Sequence, residues 1–98
     1  MNKEVIEDIG ELLKGSFKET DRLPLHELLW TIDGKHHLIP SIDELNEAIK
    51  KNEGIIIETC EDGINLVLTK EANSEKITQE HIDTAISDYQ KILKKFLK

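Results

Sequence analysis

The sequence predicts an α+β fold in which three helices precede a two-stranded antiparallel hairpin and an additional long helix ends the chain. Three observations lead to this prediction. Residues 41–54 begin with a helix-start signal and end in glycine, residues 55–69 are rich in β-branched and alternating apolar residues, and residues 77–98 carry apolar residues at helical spacing. Ninety-eight residues are enough for one modest core, so residues 1–98 are interpreted as one domain.

Two helices are expected before the hairpin. Residues 2–14 carry apolar residues at helical spacing, and Gly15 is expected to end this first helix, leaving a connector that reaches residue 22. The second helix is expected to begin at Leu23-Pro24, because proline suits the first helical position, and to stop at Asp33-Gly34. Residues 35–40 then cross to the third helix as an extended segment.

The third helix has the clearest start in the chain. Ser41 is expected to cap it, and Glu44 completes a capping box with Ser41. Gly54 is the expected stop. The run of isoleucines that follows favours a strand, residues 61–63 form a turn that ends in glycine, and residues 64–69 alternate as the second strand of the hairpin.

The last helix is predicted over residues 78–97, with Thr78 as its N-cap and Ile77 packed on Ile82 as a hydrophobic staple. Its apolar residues step by 4, 3, 4 and 3, which is the spacing of a coiled-coil seam. The seam packs either on the first helix of the same chain or on a second copy in a homodimer. Its members are Ile82, Ile86, Tyr89, Leu93 and Phe96.

The charge distribution limits the kinds of molecule that the protein is expected to bind. The net charge is −7; residues 1–76 hold nine bases and 17 acids, whereas residues 77–98 hold four lysines and three acids. An acidic body repels nucleic-acid phosphates and anionic membranes and attracts basic proteins. The one cysteine, Cys60, excludes an internal disulfide and fits a reducing cytoplasm. The sequence shows neither a signal-peptide pattern nor an apolar run of membrane-spanning length, so we expect a cytoplasmic protein.

The residues that could carry chemistry do not form a recognisable site. His36 and His37 are adjacent, and adjacent residues in an extended segment point to opposite faces, which disfavours a shared metal ion. Cys60 lacks the glycine-rich elbow or helix N-terminus that would activate a nucleophile, so it is interpreted as a packing residue. The five glycines are scattered rather than gathered into a phosphate-binding loop. We therefore expect no enzyme activity, no cofactor and no metal.

The run LPLHELLWTID, followed by IPSIDELNEAIKKNEGIII and EDGINLVLT, resembles a winged-helix domain over residues 23–69. In that superfamily a helix-turn-helix pair is followed closely by a β-hairpin, the wing. The resemblance implies that residues 42–51 occupy the recognition-helix position and residues 61–63 the wing tip. The link from Gly34 to Pro40 is longer than the usual three or four residues of a helix-turn-helix.

The exposed positions expected on these two elements are mainly acidic, whereas DNA affinity comes largely from Lys and Arg contacts to phosphates. The leading hypothesis is therefore a non-catalytic protein-interaction module that meets a basic protein; an inhibitor, antitoxin or immunity-type protein would suit the charge. A second interpretation is that the acids are only a solvated face. The acids concerned are Asp43, Glu44, Glu47, Glu61 and Asp62.

The alternative function is a DNA-binding transcriptional regulator that dimerises through the last helix. It would present Asn46, Lys50 and Lys51 of the third helix to DNA. Trp30 also has two interpretations, a residue at the edge of the core or an anchor for a partner, since tryptophan is favoured at interface hot spots.

Overall fold

The computed structural model describes residues 2–52, 54–61, 63–69 and 75–96, with the backbone alone for residue 96. These residues form four helices and a three-stranded antiparallel sheet, which confirms the predicted mixture of helices and antiparallel strands. In chain order the elements are α1 (Lys3–Glu19), β1 (Arg22–Pro24), α2 (Leu25–His36), α3 (Ile42–Lys50), β2 (Ile55–Cys60), β3 (Gly63–Leu68) and α4 (Gln79–Phe96).

The sheet has three strands in the order β1-β3-β2, so the prediction of a two-stranded hairpin is wrong. The added strand β1 includes Leu23 and Pro24, which were expected to open the second helix. Leu23 pairs with Leu66, and Leu66 also pairs with Ile57 on the other side of β3. Because β1 is an edge strand, proline is tolerated there despite its missing N–H.

The two N-terminal helices run past the glycines that were expected to stop them. Helix α1 continues through Gly15 to Glu19, and α2 continues through Gly34 to His36. Neither glycine has a positive φ, so neither supplies the left-handed residue of a helix stop. That conformation is taken instead by His37, with φ of 57°. The link between α2 and α3 is therefore residues 37–41.

The start signals of α3 and α4 are confirmed. The Ser41 side chain accepts from the Glu44 N–H at 3.2 Å, and the Glu44 carboxylate accepts from the Ser41 N–H at 3.0 Å. At α4 the Thr78 hydroxyl accepts from the His81 N–H at 3.3 Å, and the Thr78 N–H donates to the His81 ring at 3.1 Å. His81 thus fills the place that glutamate has in a capping box.

The core lies between the inner face of the sheet and the four helices. Helix α1 packs on α3 and α2, while α4 packs mainly on α2 and β3. The expectation that α4 would pack on the first helix is therefore wrong, because the hairpin and α2 provide the apolar surface that it covers. The largest fully buried side chains are Val5, Ile9, Leu13, Leu25, Leu28, Ile32, Pro40, Leu45, Ile49, Ile55, Leu66 and Ile77.

The predicted seam of α4 is largely turned toward the protein's own body. Ile82 is 4% exposed, and Ile86 packs partly against the core. The ring of Tyr89 lies edge-on to Trp30, with centroids 5.6 Å apart, and Leu93 is half-buried. The side chain of Phe96 lies outside the described residues. Ile82 and most of Ile86 are thus covered within the chain itself, and a role of the rest of the seam in a homodimer stays a prediction.

A charged link joins the C-terminal turn of α2 to α1. The Asp8 carboxylate contacts His36 Nε2 at 2.5 Å and Lys35 Nζ at 3.1 Å. The hydrogen bond with His36 and then that with Lys35 hold the pKa of Asp8 below its usual value. The Asp8 carboxylate is therefore more strongly favoured over the protonated acid in the folded state than in the unfolded chain.

The Asp8 link predicts a dependence of stability on acid pH. Because its folded pKa is lowered, its contribution is complete above the unfolded value of about 3.9 and is lost as the pH falls through the folded pKa. We expect Asp8→Asn to lower the thermal midpoint between pH 5 and 7 and to lose that difference as the pH falls through the lowered pKa of Asp8. Glu7→Gln, at an exposed neighbouring position, is the control. An Asp8→Asn difference that persists unchanged at low pH would contradict the assignment.

Candidate interaction site on helix α3

Helix α3 presents an open groove of about 390 Å³ on its outer side. Asp43 and Glu47 line it from one face of the helix, one turn apart. Glu75 lines it from the segment that precedes α4. Three carboxylates from two parts of the chain therefore converge on one surface. The remaining lining residues are Asn46, Ile49, Lys50 and Lys76.

Asn46 joins α3 to the segment before α4. Its Nδ2 donates to the Ile77 carbonyl at 3.0 Å, and the Ile77 N–H donates to its Oδ1 at 2.7 Å. Ile77 is 2% exposed and belongs to the core, so its backbone polar groups need partners inside the protein. Asn46 supplies both, and its amide is therefore committed to the fold.

Glu75 is fixed beside the edge of the sheet. Its N–H donates to the Ile55 carbonyl at 2.7 Å, and its Oε1 accepts from the Ile57 N–H at 3.1 Å. These bonds cover part of the outer edge of β2, which would otherwise be open to another strand. They also hold the Glu75 carboxylate at the mouth of the groove.

Glu44 is not part of the exposed acidic surface, although the sequence placed it there. It is 8% exposed, and its carboxylate accepts from the backbone N–H groups of Ser41 and Asn2, at 3.0 and 3.1 Å. Burial raises the pKa of Glu44, but the hydrogen bonds from Ser41 and Asn2 outweigh it, and the net pKa is lowered. Its role is to cap α3 and tie the start of α1 to it.

The other residues predicted for the site are dispersed. Lys50 lines the α3 groove, whereas Lys51 lines a second groove of about 280 Å³ between α1 and α3. Glu61 is exposed in the turn between β2 and β3, on a different element from the α3 groove. Asp62 lies outside the described residues. The structure thus brings Asp43, Glu47 and Lys50 together and separates them from Lys51.

Cys60 lies in a small polar cluster on the outer face of the sheet. Its thiol donates to Glu58 Oε1 at 3.0 Å, and Arg22 Nη1 contacts the same oxygen at 2.6 Å. The hydrogen bond to Glu58 raises the pKa of the Cys60 thiol, with desolvation adding to it. A raised pKa disfavours the thiolate, so the arrangement is unsuited to nucleophilic chemistry.

The four histidines have separate surroundings. His36 pairs with Asp8, His37 ends α2, His81 caps α4, and His26 lies half-buried on α2. Within the part of the chain that the structure describes, three or more His, Cys, Asp or Glu side chains do not come together in a group that could hold a metal ion. Among the same residues no helix is both long and apolar enough to cross a bilayer.

Comparison with known proteins gives no assignment: no family model matches the chain, and neither the curated proteins nor the solved structures contain a significant match.

Sequence reasoning missed Glu75 and the structural use of Asn46. The segment that contains Glu75 was interpreted as a polar connector, and the contact between Asn46 and Ile77 joins residues 31 positions apart. A local signal did exist for Ile77, which was predicted as the staple residue before α4. A buried Ile77 requires partners for its backbone, but the sequence does not name the side chain that supplies them.

Proposed function

We propose that this protein is a non-catalytic interaction module that binds a basic protein segment through the α3 groove. The observation that carries the proposal is the convergence of the Asp43, Glu47 and Glu75 carboxylates on one open surface. Acidic groups on α3 and on the neighbouring segment would meet a lysine or arginine side chain from two sides. Such paired contacts supply orientation and association rate more than raw affinity.

The lysines in the groove refine the expected partner. Lys50 and Lys76 line the same groove as the three acids, so its surface carries both signs. A uniformly basic segment would meet repulsion at these two positions. A segment that alternates basic side chains with carboxylates or backbone carbonyls matches the groove better.

The proposal includes a winged-helix-like scaffold. It is supported by the order of α2, α3, β2 and β3, in which two helices are followed closely by a hairpin. The link between α2 and α3 is five residues, 37–41, and so departs less from a helix-turn-helix than the sequence indicated. In this comparison α3 occupies the recognition-helix position, and its outer groove is where a partner would be expected.

The alternative of DNA binding has less support from the geometry. Asn46 would have to read bases, yet both ends of its amide are bonded to the Ile77 backbone. Lys50 and Lys51 line grooves on different sides of α3, so they do not form one basic surface. Asp43 and Glu47 would face the phosphates with the wrong sign.

Charge reversal in the groove tests the proposal. We expect a fluorescent peptide of alternating lysine and glycine to bind the wild type at low salt and to bind Asp43→Lys/Glu47→Lys about tenfold more weakly, from lost attraction and new repulsion. Glu4→Lys/Glu19→Lys, at the two ends of α1, has the same change in net charge and is the matched control. Equal loss in both double variants would show that only the overall charge matters and would overturn the proposal.

Duplex DNA provides the second arm of the same experiment. Electrostatic binding to DNA is strongest at low salt, so we expect the wild type to leave a random duplex unshifted under those conditions. A salt-sensitive shift that disappears in Lys50→Ala/Lys51→Ala would favour the regulator hypothesis over the interaction module.

A further inference from the structure

Trp30 is the single tryptophan of the sequence, and 41% of its surface is exposed on the outer side of α2. Tyr89 of α4 meets its ring edge-on, with the two ring planes at 72°, so the contact is not a face-to-face stack. Trp30 is thus held by a neighbouring ring while much of its own surface is open to solvent. An exposed tryptophan held in this way is the type of residue that anchors a partner.

An open depression of about 400 Å³ lies beside Trp30 on α2 and is also lined by Glu27, Thr31 and Gly34. Gly34 does not have a positive φ, and a Cβ added to it would meet nothing within 4 Å. Neither the backbone nor the packing therefore requires glycine at this position, although glycine is less favourable than alanine inside a helix. The missing side chain at position 34 leaves the depression beside Trp30 open.

Two carboxylates flank Trp30 along the helix. Glu27 and Asp33 lie three residues before and three residues after it, so both are its neighbours on the surface of α2. Within the part of the chain that the structure describes, neither carboxylate has an ion-pair or hydrogen-bond partner. Glu27 lines the depression itself, whereas Asp33 lines a small pocket with Tyr89. The exposed ring therefore lies between two negative charges.

The chemistry of this surface fits a cation that can also stack. The face of an aromatic ring attracts cations, and tryptophan attracts them best. Ammonium groups are typically held in cages of several rings, but the depression is bordered by one ring and is open. The planar guanidinium group of arginine stacks on a single aromatic face and presents N–H donors to a carboxylate at its edge. The depression therefore suits arginine better than lysine.

We propose that Trp30, Glu27 and Gly34 form a recognition site for an arginine side chain of a partner protein. The guanidinium group lies over the indole ring in the depression and donates to the Glu27 carboxylate, and Asp33 adds attraction from the other side of the ring. The site shares no residue with the α3 groove, so it does not depend on the function proposed for that groove.

The fluorescence of the full chain reports on this site directly, because all tryptophan emission comes from Trp30. We expect a peptide of alternating arginine and glycine to change this emission saturably at low salt. The lysine–glycine peptide of equal charge is expected to bind at Trp30 about threefold more weakly. Contact with the α3 groove alone would leave the emission unchanged, so a failure here is distinguishable from a failure of the groove.

Variants of the two other site residues test the geometry. Glu27→Gln is expected to weaken the arginine peptide about threefold, and Glu4→Gln, at an exposed position of α1, is the control for net charge. Gly34→Leu fills the depression, so it is expected to weaken the peptide about fivefold while raising the thermal midpoint by roughly 3–8 °C. Gly34→Ala is expected to raise the midpoint similarly and to keep most of the binding, since it leaves most of the space open.

Three results would overturn the proposal. The first is a Trp30 emission that does not respond to the arginine peptide, or that responds equally to the lysine peptide. The second is equal weakening in Glu27→Gln and Glu4→Gln, which would show that only net charge matters. The third is a folded Gly34→Leu variant that binds the arginine peptide as tightly as the wild type does.

Discussion

Replacing Leu66 with alanine is expected to lower the free energy of unfolding by about 2–5 kcal/mol. Leu66 is fully buried in β3, the central strand, and pairs with Leu23 on one side and Ile57 on the other. Its side chain therefore faces the helices from the middle of the sheet. The strands on both sides limit how far the structure can collapse into the cavity that alanine would leave. The loss is a large part of the roughly 5–15 kcal/mol that holds a typical domain together.

Urea unfolding followed by circular dichroism measures this loss. Thr59→Ala, at an exposed position of β2, is the control and is expected to cost less than about 1 kcal/mol. Equal losses in the two variants would contradict the central place assigned to β3.

Replacing Asn46 with leucine is expected to lower the free energy of unfolding by about 2–3 kcal/mol. Leucine has a similar length, so the main effect is the loss of partners for the N–H and carbonyl groups of Ile77. The expected cost follows from leaving two polar groups of a buried residue unpaired. The amide proton of Ile77 should exchange slowly with solvent in the wild type and rapidly in the variant.

Two matched variants separate hydrogen bonding from other effects at Asn46. Asn46→Asp keeps an oxygen that accepts from the Ile77 N–H but loses the donor to the Ile77 carbonyl, so we expect an intermediate loss. Lys50→Leu, one turn later on α3 and exposed, is expected to change stability by about 0.5 kcal/mol or less. If Asn46→Leu lowers the free energy of unfolding no more than Lys50→Leu does, the hydrogen bonds between Asn46 and Ile77 do not stabilise the fold.

Local signals predicted much of the fold. The capping box of Ser41 and Glu44 lies within one turn of helix, and the strands of the hairpin are adjacent in the chain, so nearby residues decide both. Strand β1 was missed because it has only three residues and its partner strand begins about forty residues later. Leu23-Pro24 carries no local mark that distinguishes an edge strand from a helix start.

The glycines show why the helix ends were mistaken. A glycine permits a left-handed residue but does not require one, and Gly15 and Gly34 remain helical. Beyond them Phe17 packs partly against the core and His36 contacts Asp8. At the candidate site the sequence identified Asp43 and Glu47, which both lie on α3 and line the groove. The sequence pattern also placed Glu44 on this surface. Helical periodicity does not show that the start of α1 covers the Glu44 carboxylate. Glu75 could not be predicted from the sequence, because only the tertiary fold brings it close to α3.

The α3 groove is expected to bind a basic segment. Amide chemical shifts of the isotope-labelled protein, recorded while the lysine–glycine peptide is added at low salt, test it most directly. The largest shifts are expected at residues 43–50 and 75–76, and Asp43→Lys/Glu47→Lys is expected to remove them. Shifts spread evenly over the acids of α1 and α4, with the groove no more affected than they are, would contradict it.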